Sequence, residues 1–86
     1  MFTGKTILIT GGGSGIGAAL AQLLSTSNRV IICGRKEDNL KKVASASNNI
    51  SYYVAEMAVI GEVDNLFNRI AGDKIKLDVI FNNAGV

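Results

Sequence analysis

The chain has no histidine and a single cysteine, Cys33. These absences exclude a Ser-His-Asp triad, an imidazole-based metal site, an intrachain disulfide bond and a Cys-x-x-Cys motif. No apolar run approaches the roughly 20 residues that a membrane-spanning helix needs. The first residues also lack the basic start and long apolar stretch of a signal peptide. We therefore expect a cytoplasmic protein that has no membrane partner and holds no metal.

The chain also has no strong excess of positive or negative charge, because the net charge is only +2 and the nine lysines and arginines are scattered along the sequence. Such a weak field does not indicate a nucleic-acid partner. The hydrophobic fraction of 48% is typical of a folded chain rather than a disordered one. A length of 86 residues fits one small domain or a part of a larger one.

Strand-like and helix-like segments alternate along the chain. Short β-branched runs predict strands, and apolar residues at helical spacing, such as Ile16, Leu20, Leu23 and Leu24, predict helices. The predicted strands are 5–10, 29–33, 50–55 and 77–82, and the predicted helices are 15–27, 37–45 and one around 63–70 that Gly72 ends. This β-α-β-α-β-α-β order predicts an α/β fold, a partial doubly wound parallel sheet of Rossmann type with strand order 3-2-1-4.

A glycine-rich segment at 10–17, TGGGSGIG, lies between the first predicted strand and helix. Glycine permits a tight turn there, and the missing Cβ lets a pyrophosphate approach the N–H groups at the helix N-terminus. A triphosphate-binding P-loop is excluded because Ala18 and Ala19 stand where lysine and serine or threonine are needed. A plain tight turn is the alternative interpretation. The register T-G-x-x-x-G-x-G fits the strand end better than a G-x-G-x-x-A fingerprint drawn from Gly13 to Ala18.

In that register the chain resembles the short-chain dehydrogenase/reductase family, whose N-terminal motif is T-G-x-x-x-G-I-G. A second match, NNAG at 82–85, follows the fourth predicted strand, and the resemblance covers essentially all of the chain. It implies that the pyrophosphate lies against a loop containing Thr10, Gly11, Ser14, Gly15, Ile16 and Gly17.

The resemblance also assigns roles at the other strand ends. It implies that Asn82, Ala84 and Gly85 lie at the nicotinamide-side ribose, whereas Asn83 is expected to tie neighbouring strands together. The family has an aspartate at the end of the third strand that holds the adenine. This chain has Glu56 there, followed by Met57, and both are expected at the adenine. Because glutamate is one methylene longer than aspartate, this contact departs from the family pattern.

The residues after the second strand indicate which nicotinamide cofactor is bound. A carboxylate there selects NAD through the ribose 2′-hydroxyl, whereas a basic residue suits the 2′-phosphate of NADP. Arg35 stands twenty residues after Gly15, and Lys36 follows it. The alternative is that both merely begin a helix, a position where cations are mildly disfavoured. We predict NADP, while Glu37 and Asp38 keep NAD open.

The family's catalytic pattern, Tyr-x-x-x-Lys, does not occur in the sequence. The resemblance therefore implies the cofactor-binding N-terminal half of an NADP(H)-dependent oxidoreductase, truncated before its catalytic segment and with no catalytic residue of its own. The complete protein would transfer hydride to or from a carbonyl or alcohol substrate. The alternatives are a non-catalytic dinucleotide-binding module and an inactive truncated fragment.

Two structural expectations accompany this interpretation. Ala58 and Val59 offer no side-chain oxygen to cap the third helix. The fourth strand, which carries Val79, Ile80 and Phe81, would be an exposed edge through which copies of the chain could associate.

Overall fold

The computed structural model of the chain describes residues 2–13 and 15–83. Strands and helices alternate in the order β1 (Thr6–Thr10), α1 (Gly15–Leu24), β2 (Arg29–Gly34), α2 (Glu37–Ala44), β3 (Ile50–Val54), α3 (Ile60–Gly72) and β4 (Val79–Asn82). The four strands form one parallel sheet in the order β3-β2-β1-β4. The predicted α/β architecture and strand order are confirmed, and the element boundaries differ by a few residues.

The two faces of the sheet carry separate apolar cores because successive strand residues point to opposite sides. Ile7, Ile9 and Ile32 lie beneath α1 and α2. Leu8 and Ile31 lie on the other face, beneath α3. The central strands β1 and β2 are therefore buried on both faces, which explains why their sequences are nearly continuous apolar runs rather than alternating ones.

Strand β4 lies at the edge of the sheet and pairs only with β1 among the described strands. Val79 and Phe81 pack against the core beneath α1 and α2, where the ring of Phe81 meets that of Phe2 edge-on at 6.1 Å between centroids. Ile80 points to the α3 side and is 51% exposed. The prediction that the fourth strand is an exposed edge is confirmed.

Two of the four apolar residues whose spacing predicts helix α1 do not face the sheet. The buried residues of α1 are Gly17, Ala21 and Leu24, whereas Ile16 is 79% exposed and Leu23 is 61% exposed. The helix is confirmed, but Ile16 and Leu23 lie off the buried side because its closest contact with the glycine loop is made by Gly17, which has no side chain. A Cβ on Gly17 would lie 2.3 Å from the Gly11 carbonyl oxygen, so this contact fixes the rotation of the helix.

Helix α1 also ends at Leu24 rather than at residue 27. The Ser25 hydroxyl donates to the Gln22 carbonyl and the Thr26 hydroxyl to the Leu23 carbonyl, both at 2.9 Å. The Asn28 amide donates to the Leu24 carbonyl at 2.9 Å. These short polar side chains satisfy the terminal carbonyls in place of further helical N–H groups, so the helix stops.

Helix α3 begins at Ile60 without a side-chain cap from Val59, which confirms the expected absence of a capping oxygen. At its other end Gly72 is still helical, and Lys74 adopts the left-handed conformation with φ 59°. The Lys74 N–H donates to the Ala71 carbonyl at 2.9 Å and the Ile75 N–H to the Ile70 carbonyl at 3.2 Å. This is a Schellman motif. The helix ends at Gly72 as predicted, but the left-handed residue of the turn that follows is Lys74 rather than glycine.

Candidate dinucleotide-binding site

The loops that follow the parallel strands meet at one edge of the sheet. The order β3-β2-β1-β4 puts the connection after β1 next to those after β2 and β4. In open α/β sheets, ligands bind at the carboxyl ends of the strands, where the connections diverge to opposite faces. Here that point lies between β1 and β4, because α1 and α2 cover one face and α3 covers the other.

The glycine loop after β1 is held tightly against β2 and α1. Gly11 has φ 69°, a conformation that side chains oppose, and its N–H donates to the Cys33 carbonyl at 3.0 Å. Gly17 lies directly over Gly11, so neither position can accommodate a larger residue without strain. Gly15, with φ 59°, begins the helix, and Ile16 projects outward from it. Gly11 thus shapes the turn rather than presenting its N–H to a ligand. Ser14, also predicted at the pyrophosphate, lies outside the described residues.

A hydrogen-bonded link joins the ends of β1 and β4. The Asn83 N–H donates to the Thr10 hydroxyl oxygen at 2.9 Å, and the Asn83 side-chain amide donates to the Gly11 carbonyl at 3.3 Å. The Thr10 hydroxyl donates to Asn82 Oδ1 at 3.1 Å. The prediction that Asn83 ties neighbouring strands together is confirmed. Thr10 is buried and shares this structural contact, while Ala84 and Gly85, also predicted at the cofactor, lie outside the described residues.

Two clefts lie on either side of the residue that follows β2, Arg35. One has a volume of about 340 Å³ and is lined by Gly11, Gly34, Arg35, Ala55, Glu56, Met57 and Ala58. The other has a volume of about 260 Å³ and is lined by Gly11, Gly13, Gly34, Arg35, Lys36, Asn39 and Leu40. The structure therefore brings together the predicted residues from three loops. A larger groove of about 390 Å³ on α3, lined by Glu62, Asn65, Asn68 and Arg69, lies away from these strand ends.

Asn39 was not among the residues predicted from the sequence. It lines the cleft that contains Lys36, the residue that precedes α2, and the cap and the third residue of a helix are close neighbours. The spacing from Lys36 was thus the available signal, but an asparagine in a helix gives no indication of a ligand by itself.

The two carboxylates near Arg35 have different hydrogen-bond and ion-pair partners. Arg35 Nη1 lies 3.6 Å from Glu56 Oε2, and the Arg35 side chain is 70% exposed. Glu37, a carboxylate that could have served the ribose of NAD, accepts a hydrogen bond from the Tyr52 hydroxyl at 2.9 Å. This bond raises the pKa of Tyr52, since it favours the protonated phenol. Glu37 is therefore engaged with β3, and the basic groups Arg35 and Lys36 line the clefts.

The thiol of Cys33 lies beneath the same loops but is shut off from solvent. Its Sγ is 3.8 Å from the Met57 sulfur, and burial raises its pKa to about 11. A thiol with such a pKa stays protonated at neutral pH and is a poor nucleophile. Cys33 is therefore a core residue.

The fold and the glycine loop together define a Rossmann-type α/β protein. Residues 5–86 match the family model described as short chain dehydrogenase, and the chain belongs to that family. The membership predicted from the two motifs is thus confirmed. None of the helices in residues 2–13 and 15–83 has the length and hydropathy required to cross a membrane.

Relatives and solved structures agree with this assignment. The chain is 41% identical over 86 residues to 3-oxoacyl-(acyl-carrier-protein) reductase FabG of Rickettsia prowazekii, covering 98% of this chain and 34% of that protein. It is also similar to the RhlG/NADP active-site complex of Pseudomonas aeruginosa, with a TM-score of 0.82, 29% identity, and coverage of 99% of this chain and 36% of that one. A variant actinorhodin polyketide ketoreductase with NADPH gives a TM-score of 0.83, 28% identity, and coverage of 96% and 34%. The chain spans about a third of the length of the proteins that it matches.

Proposed function

We propose that this chain binds NADP(H) and forms the cofactor-binding part of an oxidoreductase. The observation that carries the proposal is the pair of basic residues, Arg35 and Lys36, which lines the clefts beside the glycine loop. A guanidinium can bind a phosphate through two parallel hydrogen bonds, and the lysine adds a second positive charge. The two similar structures described above are complexes with NADP and NADPH, which supports the same cofactor.

The residues that are present fit this cofactor. Gly17 keeps the loop against the start of α1, where a Cβ would force the two apart and where helical N–H groups favour an anion. Arg35 and Lys36 would hold the 2′-phosphate, and Glu56 and Met57 would line the adenine cleft. When bound, the nicotinamide ring supplies the hydride chemistry, and the chain's own residues bind and orient the dinucleotide.

For the whole protein we propose an oxidation or reduction of a carbonyl or alcohol in the cytoplasm. The similarity to a reductase of 3-oxoacyl groups supports that substrate class. The family's Tyr-x-x-x-Lys pattern is not found in these 86 residues, so we assign this chain the binding of cofactor rather than proton transfer. We further propose that the exposed β4 edge, where Ile80 is half exposed, supports association between copies.

Replacing Arg35 with alanine tests the cofactor assignment. Titration with NADPH and NADH should show that R35A binds NADPH at least about tenfold more weakly, since a hydrogen bond to a charged group contributes about 1.5–3 kcal/mol. The affinity for NADH should change by less than about twofold, because NADH lacks the phosphate that Arg35 is proposed to hold.

The matched control is R29A, which removes an exposed arginine from the opposite end of the same strand, β2. We expect it to leave both affinities within about twofold of the unmodified chain, because a distant exposed charge is screened by salt. An equal loss of NADPH and NADH affinity in R35A, or an unchanged affinity for both, would contradict the proposal.

A further inference from the structure

Glu56 is held in place by its own turn. Its N–H donates to Glu62 Oε1 at 2.9 Å, and its own Oε1 accepts a hydrogen bond from the Ala58 N–H at 3.2 Å. One carboxylate oxygen is therefore used within the loop after β3. The other, Oε2, faces Arg35, and the Glu56 side chain is only 32% exposed.

The Arg35 side chain is much more exposed than that of Glu56. It is 70% exposed, and Glu56 is its ion-pair partner within the described part of the chain. Exposed ion pairs contribute little to stability, about 0–1 kcal/mol, so the pair can be broken by a stronger anion. A phosphate monoester is such an anion, because it carries a charge of about −1.5 to −2 at neutral pH.

The two cofactors affect this pair differently. A 2′-phosphate on Arg35 must compete with the Glu56 carboxylate for the guanidinium and must lie near a fixed negative charge. A cofactor with a free 2′-hydroxyl leaves the pair intact. The adenine, in contrast, is common to both cofactors, so any contact of Glu56 with the adenine acts on both affinities alike.

Resting on the function proposed above, we propose that Glu56 limits the preference of this chain for NADP over NAD, because it holds the Arg35 guanidinium and repels the 2′-phosphate. Glu56 is thus a specificity-determining residue in addition to lining the adenine cleft. Glutamate has the reach for this role, since the extra methylene carries Oε2 toward the arginine while Oε1 stays on the loop.

The test measures the dissociation constants of NADPH and NADH for the 86-residue chain and for E56Q, E56D and D64N. Glutamine keeps the shape and the oxygen that Ala58 bonds but removes the charge. We expect E56Q to raise the ratio of the NADH constant to the NADPH constant about three- to tenfold. E56D keeps the charge with a shorter reach, so we expect a smaller rise of about twofold.

D64N is the matched control, because it removes an exposed carboxylate on α3 that lines neither cleft at Arg35. Its ratio should match that of the unmodified chain. In an R35A background, E56Q should change the ratio less than it does with Arg35 present, since the competition for the guanidinium is gone. Circular dichroism shows whether each variant is folded. If E56Q is unfolded, the ratio of dissociation constants measured for E56D decides the test.

The possible failures are distinguishable. If both nucleotides bind and the ratio stays constant or falls in E56Q, this inference is overturned while the proposed function stands. If neither nucleotide binds to the unmodified chain, both are overturned.

Discussion

The substitution G17A should unfold the chain or abolish NADPH binding. A Cβ at this position would lie 2.3 Å from the Gly11 carbonyl oxygen and 2.9 Å from Asn83 Nδ2. The first of these neighbours is backbone in a loop already anchored to Cys33, so it cannot move aside without breaking that anchor. Protein interiors are close-packed and do not absorb such an overlap, and we expect a loss of about 3 kcal/mol or more in the free energy of unfolding.

Urea denaturation measures the loss of stability in G17A, and NADPH titration under conditions where the variant is folded measures the loss of binding. The matched control is G61A, because Gly61 lies in the first turn of α3 with no atom within 4 Å of an added Cβ. Alanine is favoured over glycine in helices by up to about 1 kcal/mol, so G61A should be neutral or stabilising. Unchanged stability and NADPH affinity in G17A would show that the close packing of the glycine loop is not essential.

The substitution L66A should cost about 2–5 kcal/mol in the free energy of unfolding, the range observed for leucine-to-alanine changes in cores. Leu66 is completely buried and belongs to the core between α3 and the sheet, with Leu8, Ile31 and Ile70. Among the described elements, α3 alone covers that face, so no other helix can close the cavity. A domain of this size is stable by only about 5–10 kcal/mol, so the variant should lose a large fraction of its stability.

The neighbouring residue Phe67 provides the control for L66A. Phe67 is a larger apolar side chain on the same helix, but it is 38% exposed. We expect F67A to cost clearly less than L66A in urea denaturation, because less apolar surface is returned to water. Equal losses for the two variants would contradict the assignment of Leu66 to the centre of this core.

The strands and their order could be predicted from the sequence because β1 and β2 are apolar runs and the connections between strands are helical in length. The rotation of α1 could not be predicted in the same way. Hydrophobic periodicity weights Ile16 and Leu23 and gives no weight to Gly17, yet the contact of Gly17 with Gly11 decides which face turns inward. The residue with left-handed backbone after α3 could not be predicted either. The last backbone hydrogen bonds of the helix place Lys74, rather than Gly72, in that conformation.

The cleft residues could be predicted individually but not as interacting groups. Arg35 and Glu56 are far apart in the chain, and their contact exists only because β2 and β3 are paired with Gly34 opposite Val54. The sequence likewise suggested Glu37 as an alternative ligand, but it could not reveal that the Tyr52 hydroxyl engages this carboxylate. Pairs of side chains from different loops depend on register and rotamer, which local patterns do not specify.

The most direct test of NADP(H) binding is an NADPH titration of the isotope-labelled chain followed by NMR of its backbone amides. The account predicts that the largest shifts occur at residues 11–13, 15–17, 34–36 and 55–58, the loops that line the two clefts and begin α1. Shifts concentrated at the α3 groove around Glu62 and Arg69, or no shifts at all, would contradict it.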